Sequence, residues 1–304
     1  TRELAEQVTQ FIKKFAGYKK LNVLPVYGGV DINRQIRGFS NADIVVGTPG
    51  RILDHLRRNT LSLRNIKFLV LDEVDRMFDM GFYPDVNTIL TQCPKDRQTM
   101  LFSATISQDI TLLSKNHTKN SVSVLAKSRV DPLKLKQIFY DVPSNLKFSL
   151  LVHLLSHEKA DLVMVFCSSR KNADFISKNL KRQGIAAEAI HGGLTQNRRT
   201  SVLKDFSVKS RHILVCTDVA ARGLDIGGVS HVYNYDLPKT LIEYTHRIGR
   251  TARAGKEGKA INLLSNRDYE NFNRIIESEP LNISKEELPM IQRVDADFGR
   301  REQR

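Results

Sequence analysis

The sequence predicts an α/β protein of two domains, each a mostly parallel sheet flanked by helices. Short apolar runs of strand length alternate with stretches of helical periodicity, the pattern of βα units. The alternation breaks once, near the middle of the chain, at Lys127-Ser128-Arg129-Val130-Asp131-Pro132, and then resumes. At 304 residues, each half is long enough to bury its own core. The expected limits are a first domain over 1–125, a linker over 126–134, a second domain over 135–279 and a charged tail over 280–304.

In the first half, residues 43–47 read as a strand, and Ile52, Leu53 and Leu56 line one face of the helix after it. Residues 66–71 and 98–102 read as further strands, and 109–115 as a short helix. In the second half, 162–167 is an apolar strand. The helix after it carries Ala173, Ile176 and Leu180 on one face and stops near Gly184. Strands are expected over 213–216, 229–233 and 259–264, with a helix over 241–246. From 280 onward the text turns polar and ends Arg300-Arg301-Glu302-Gln303-Arg304, which reads as a flexible, solvated charge run. The halves share this alternation without an internal sequence repeat.

Lys and Arg outnumber Asp and Glu by 47 to 33, a net charge of +14, and this balance favours a polyanionic partner. Trp is absent, so no Trp stacking platform exists. The three cysteines, Cys93, Cys167 and Cys216, are odd in number and form no CxxC pair, which supports neither a disulfide framework nor a zinc site. Cys167 and Cys216 lie in apolar runs, where a thiol behaves as a small hydrophobe. Reduced thiols and an intracellular, cytoplasmic location are expected. Asn116-His117-Thr118 and Asn282-Ile283-Ser284 fit a glycosylation triplet short enough to recur by chance. No apolar stretch reaches the roughly 18 residues of a membrane span, and the opening residues lack the apolar core of a secretory leader.

The chemistry concentrates in two places. The strand-like run Phe68-Leu69-Val70-Leu71 ends in Asp72-Glu73-Val74-Asp75. Acids at the end of a buried strand suit a Mg²⁺–nucleotide site, because a hard cation takes carboxylate oxygens. Later comes His246-Arg247-Ile248-Gly249-Arg250-Thr251-Ala252-Arg253, whose arginines, spaced at three, can neutralise charge on a transferred γ-phosphate. Taken singly, these are also a solvated acidic turn and a charged surface turn. Together they point to a motor driven by nucleoside triphosphate.

Further motifs fall in order between and around these two. They are Thr1-Arg2-Glu3-Leu4-Ala5, Gly28-Gly29, Thr48-Pro49-Gly50-Arg51, Ser103-Ala104-Thr105, Phe166, His191-Gly192-Gly193, Gln196 to Arg199, and Thr217 to Asp225. With these motifs the chain resembles the DEAD-box RNA helicases of superfamily 2, which are built from two RecA-like domains. It departs from the family at Val74, where Ala is usual, and at Ala252, where Gly is common. The chain opens inside a motif, and no G-x-x-x-x-G-K-[ST] phosphate loop occurs in its 304 residues. The resemblance therefore implies an N-terminally truncated helicase whose first domain lacks its phosphate-loop unit, and whose turnover is poor.

The resemblance assigns ATP and Mg²⁺ as cofactors. Asp72 is expected to hold Mg²⁺, usually through water, and Glu73 to act as general base toward the attacking water. Asp75 is expected to report the nucleotide state to Ser103 and Thr105, with His246 coupling on the other side. Arg250 and Arg253 match the arginine fingers, and Asp225 is expected at the nucleotide ribose. The expected RNA contacts are Arg2, Gly28, Gly29, Thr48, Gly50 and Arg51 in the first half, with His191, Gly192, Gln196, Arg199, Thr217 and Gly223 in the second. Glycines permit close backbone approach, and amides, hydroxyls and guanidinium groups bond phosphate oxygens. Gly-Gly and Thr-Pro-Gly are also ordinary turns, and Thr-Asp after a strand also caps helices. Few aromatics lie among these residues. The expected partner is thus single-stranded or duplex RNA, gripped without regard to sequence. Two rival readings remain, a non-hydrolysing RNA clamp and a DNA translocase of a neighbouring branch.

Overall fold

A computed structural model describes residues 1–125, 134–208, 212–221, 226, 228–252, 255–278 and 281–297. Arg222, Gly223, Leu224, Asp225 and Arg253 lie outside the described residues, as does the expected linker except Lys134. The chain divides into two compact units, Thr1–Ala126 and Lys127–Arg304.

The first unit runs α1 (Arg2–Phe15), β1 (Val23–Val26), α2 (Ile32–Gly38), β2 (Ile44–Gly47), α3 (Pro49–Arg57), β3 (Phe68–Leu71), α4 (Val74–Asp79), α5 (Tyr83–Gln92), β4 (Gln98–Leu101) and α6 (Gln108–His117). The expected strands and the 109–115 helix appear within two residues of their limits. Instead of one sheet, however, the described residues form two parallel pairs, β1 with β2 and β3 with β4. A two-stranded ribbon shields little of itself, and the strand burial shows this. Phe68 and Val70 of β3 are 64% and 50% exposed. Pro25, lacking an N–H, is tolerated in β1 because that strand pairs on one side alone. Val74 is fully buried with Leu71, Val86, Leu90, Ile110 and Leu113, so its extra methyl groups relative to Ala fill core space.

The second unit runs β5 (Leu135–Asp141), α7 (Lys147–His157), β6 (Leu162–Cys167), α8 (Arg170–Arg182), β7 (Ala187–Ile190), α9 (Gln196–Ser207), β8 (Ile213–Thr217), α10 (Asp218–Ala221), β9 (Val229–Asn234), α11 (Leu241–Ile248), β10 (Gly258–Leu264), α12 (Tyr269–Ser278) and β11 (Ile283–Glu286). Its sheet has seven strands in the order β11-β5-β10-β9-β6-β8-β7, all pairings parallel. Side chains alternate across a strand, so β6 sends Val163, Val165 and Cys167 into one core and Leu162, Met164 and Phe166 into another. Both faces are covered, as a parallel sheet requires. The Ser169 hydroxyl caps α8 by accepting from Asn172 N at 3.1 Å, and Gly184, at φ +76°, turns the chain away after it.

The expected flexible tail is corrected over 281–297. Ile283–Glu286 adds the edge strand β11 to β5, while Ile291, Val294 and Ala296 pack against the main core. Val294 N donates to Ser149 Oγ at 3.0 Å, and Asp297 pairs with Arg182 at 2.6 Å. Val294 and Ala296 stand among charged residues and Ile283 among polar ones, which hides them from a composition reading.

Candidate nucleotide and nucleic-acid sites

In the first unit, the chain leaves β3 and turns sharply at Glu73, which adopts the left-handed conformation at φ 51°, ψ 50°. A residue with a Cβ gives up roughly 1–2 kcal/mol there. Val74 N, donating to Phe102 O at 3.1 Å, fastens the turn to the strand beside it. Burial and then the Glu73 charge raise the Asp72 carboxyl above its usual range, although Glu73 N donates to its Oδ1 at 2.9 Å. A carboxylate pushed up by desolvation and a neighbouring acid is one that a divalent cation would stabilise in its charged form, so the turn fits Mg²⁺. Arg76, buried in α4, ion-pairs with Glu73.

Asp75 is 5% exposed and forms the junction with the Ser-Ala-Thr turn after β4. Its Oδ2 accepts from Ala104 N at 3.1 Å, Thr105 N at 3.0 Å and Thr105 Oγ1 at 3.1 Å. The Ser103 hydroxyl, expected on the same carboxylate, donates to Thr105 O at 2.7 Å instead and shapes the turn from within.

The first-half candidates for RNA converge. Arg2, one residue past the α1 N-cap Thr1, lays its guanidinium over the Gly28-Gly29 turn. Gly29 takes φ +85°, which favours glycine, and a Cβ there would stand 2.5 Å from Arg2 Nη1 and push the guanidinium aside. Arg51 reaches the same turn through Nη1, which donates to Val30 O at 3.4 Å and to Gln35 Oε1 at 3.0 Å. Thr48 opens α3, and the space around Gly50 is open.

In the second unit, His191 lies beside the Gly192-Gly193 loop with its ring largely enclosed. Its side chain is 6% exposed; Nε2 faces Asp174 Oδ1 at 2.8 Å and Nδ1 accepts from Gly193 N at 3.1 Å. The ring therefore holds the Gly192-Gly193 loop from below, and Arg170 lies over Gly192. Gln196 begins α9, Arg199 is buried in it, and Thr217 ends β8 with 8% exposure. Gly223 lies outside the described residues.

A cleft lined by Phe166, Asp218, Ala221, His246, Arg247 and Arg250 gathers the end of β6, α10 and α11. Arg247, 2% exposed, is its hub. Nε and Nη2 donate to the two Asp218 oxygens at 2.6 and 2.7 Å, and Nη1 donates to Asn234 Oδ1 at 3.0 Å and Asp236 O at 2.6 Å. The guanidinium lies 5.1 Å from the Phe166 ring centroid. Asp218, Asn234 and Asp236 were not anticipated as site residues. Asn234 and Asn262, fully buried amides in β9 and β10, bond each other at 2.8 Å. Asp225 and Arg253 lie outside the described residues. Ala252 takes φ 52° with 3% exposure, a left-handed conformation that glycine adopts at less cost.

Comparison with known proteins places these features. The DEAD/DEAH box helicase family matches residues 1–113, and the helicase conserved C-terminal domain matches 146–255. The ATP-dependent RNA helicase CshA of Listeria monocytogenes is 48% identical over 280 residues, 91% of this chain and 54% of that protein. The DEAD-box ATP-dependent RNA helicase CshA of Bacillus subtilis is 43% identical over 270 residues, 88% of this chain and 55% of that protein. The chain thus spans about half the length of these curated relatives. Among solved structures, S. cerevisiae Dbp5 bound to RNA and ADP BeF3 superposes with TM-score 0.84 at 30% identity, over 94% of this chain and 75% of that one. A DEAD box protein from Methanococcus jannaschii is 42% identical with TM-score 0.54, over 94% of this chain and 78% of its own. With both halves matched and the acidic turn joined to its Ser-Ala-Thr partner, the chain belongs to the DEAD-box RNA helicase family.

Proposed function

We propose that these residues form the two RecA-like domains of an ATP-dependent RNA helicase that locally opens RNA duplexes or remodels ribonucleoproteins. The observation that carries this is the Asp75 carboxylate held by two N–H groups and a hydroxyl of the Ser-Ala-Thr turn. It ties a nucleotide-facing turn to a second loop by a charge-assisted junction that a shift of either would break. The RNA and ADP BeF3 named with the yeast Dbp5 structure support the same pairing of ligands.

Asp72 would hold Mg²⁺, and Mg²⁺–ATP when bound supplies the phosphoanhydride whose cleavage drives the cycle. Glu73 would orient water and accept its proton, its carboxylate paired with Arg76. Arg250 and Arg253 supply positive charge toward the γ-phosphate. The Arg2, Gly28, Gly29 and Arg51 cluster grips phosphates, as do the Gly192 loop and Thr217 in the second unit. Without a G-x-x-x-x-G-K-[ST] loop among these 304 residues, the isolated chain hydrolyses ATP poorly, and that observation favours the clamp as the second reading for the chain by itself.

RNA binding tests the proposal. Log affinity for single strands should fall against log salt with a slope of about −0.7 per phosphate neutralised, alike for unrelated sequences of equal length. A large preference for one sequence that survives high salt overturns the phosphate-grip reading. Equal or tighter binding of DNA of the same length favours the translocase.

A further inference from the structure

Behind Arg51 lies a chain of buried polar side chains that the helicase motifs do not account for. Gln35 on α2 is 3% exposed and His55 on α3 is 0% exposed. Gln35 Nε2 donates to Tyr27 O at 3.0 Å, which turns Oε1 toward α3. That oxygen receives Arg51 Nη1 at 3.0 Å and His55 Nε2 at 2.9 Å. His55 Nδ1 faces the Thr60 hydroxyl at 2.8 Å, and the Phe39 ring packs edge-on against the imidazole at 4.8 Å.

The chemistry of the partners fixes the Gln35 amide and the proton on His55 Nε2. Arginine only donates and a backbone carbonyl only accepts, so the Gln35 amide has one allowed setting. Its oxygen then requires the proton on His55 Nε2, while Nδ1 meets the Thr60 hydroxyl, whose single proton is shared between Nδ1 and His55 O at 3.2 Å. Burial and the Arg51 charge both lower the His55 pKa, in keeping with a neutral ring. Each buried polar atom in this chain is matched, so the arrangement is rigid as well as affordable in free energy. At one end it reaches the surface through the Arg51 guanidinium, whose side chain is 15% exposed beside the Gly28-Gly29 turn.

We propose that Gln35 and His55 are positioning residues for Arg51, holding its guanidinium at the glycine turn in the geometry that receives an RNA phosphate. This rests on the reading of Arg51 as a phosphate contact. An Arg on a surface helix otherwise samples many rotamers and loses that freedom on binding, whereas a tethered one has lost it already.

The test compares variants of the full 304-residue chain for single-stranded RNA affinity across a salt series, with folding of each followed by circular dichroism. Arg51→Ala should weaken binding about tenfold and make the salt slope shallower by about 0.7. Gln35→Met, close in shape but without polar atoms, should give most of that loss and the same shallower slope. Adding Gln35→Met to Arg51→Ala should cost nothing further. Should Gln35→Met fail to fold, His55→Leu carries the same comparison. Wild-type affinity and slope in a folded Gln35→Met or His55→Leu variant, with Arg51→Ala still weakened, overturns the positioning role and leaves the phosphate contact standing. An Arg51→Ala variant that binds like wild type overturns the contact itself, and the positioning role with it.

Discussion

Of the arginines in the second-unit motif, Arg247 should act through structure, and its removal should cost more stability than any surface arginine. Its four hydrogen bonds join α10, β9 and the turn after β9, and two of them form a fork on Asp218. Truncation leaves the Asp218 carboxylate, 21% exposed, without its cation. Breaking a buried pair by removing one partner typically costs about 3–5 kcal/mol. The partial exposure of Asp218 places Arg247→Ala near the lower end, about 3 kcal/mol. For a unit of this size that is a fall in melting temperature of about 6–12 °C. Arg247→Lys keeps a charge but loses the planar fork, and should lose roughly half as much. The assay is urea unfolding followed by circular dichroism, because the chain has no Trp to report by fluorescence. Arg274→Ala, 53% exposed and paired only along its own helix with Glu270, is the control and should change stability by under about 0.5 kcal/mol. The double variant Asp218→Asn with Arg247→Met removes both charges and should recover part of the loss. An Arg247→Ala loss no larger than that of Arg274→Ala, or a double variant worse than Arg247→Ala, refutes the argument.

Acid sensitivity should begin in the first unit. His55 and His117 both have pKa values lowered chiefly by burial. A depressed folded pKa means the unfolded chain takes the proton first, so the stability is full above about pH 6.5 and is lost as pH falls below it, by up to about 1.4 kcal/mol per pH unit for each ring. In the second unit, the lowered carboxylates Glu158 and Asp268 lose their contribution only in the more acidic carboxylate range. First-unit stability that stays flat from pH 7 to 5.5 contradicts this. Hydrogen exchange should separate the units as well. Amides of β3 and β4, in a two-stranded ribbon with exposed Phe68 and Val70, should exchange well before those of β6 and β8, whose side chains are all buried. Equal protection would mean that the ribbons are stabilised by something other than sheet burial.

What could be read from the residues follows from where the physics is local. Residues 162–167 declare a strand because a doubly covered parallel strand is apolar at every position, and the structure gives those same limits. β1 was missed because Pro25 argues against a strand unless the other edge is free. β11 was missed because its sequence, Ile-Ser-Lys-Glu, is that of a polar edge. The acidic turn was legible because carboxylates clustered after an apolar run are unusual, yet which hydroxyl Asp75 would meet was not. That choice depends on how the Ser-Ala-Thr turn coils, and the backbone gave two of the three donors. His191 shows the same limit from the other side. The motif offers it as an RNA contact, while the partner that encloses its ring, Asp174, stands seventeen residues earlier on α8. A motif names the residues that a function needs, but whether a given side chain meets the ligand or holds the one that does is decided by partners distant in sequence. Gln35 and His55 are such cases, written as ordinary polar letters in the chain, and Arg247 is one inside a motif, where the spacing suggested a phosphate contact.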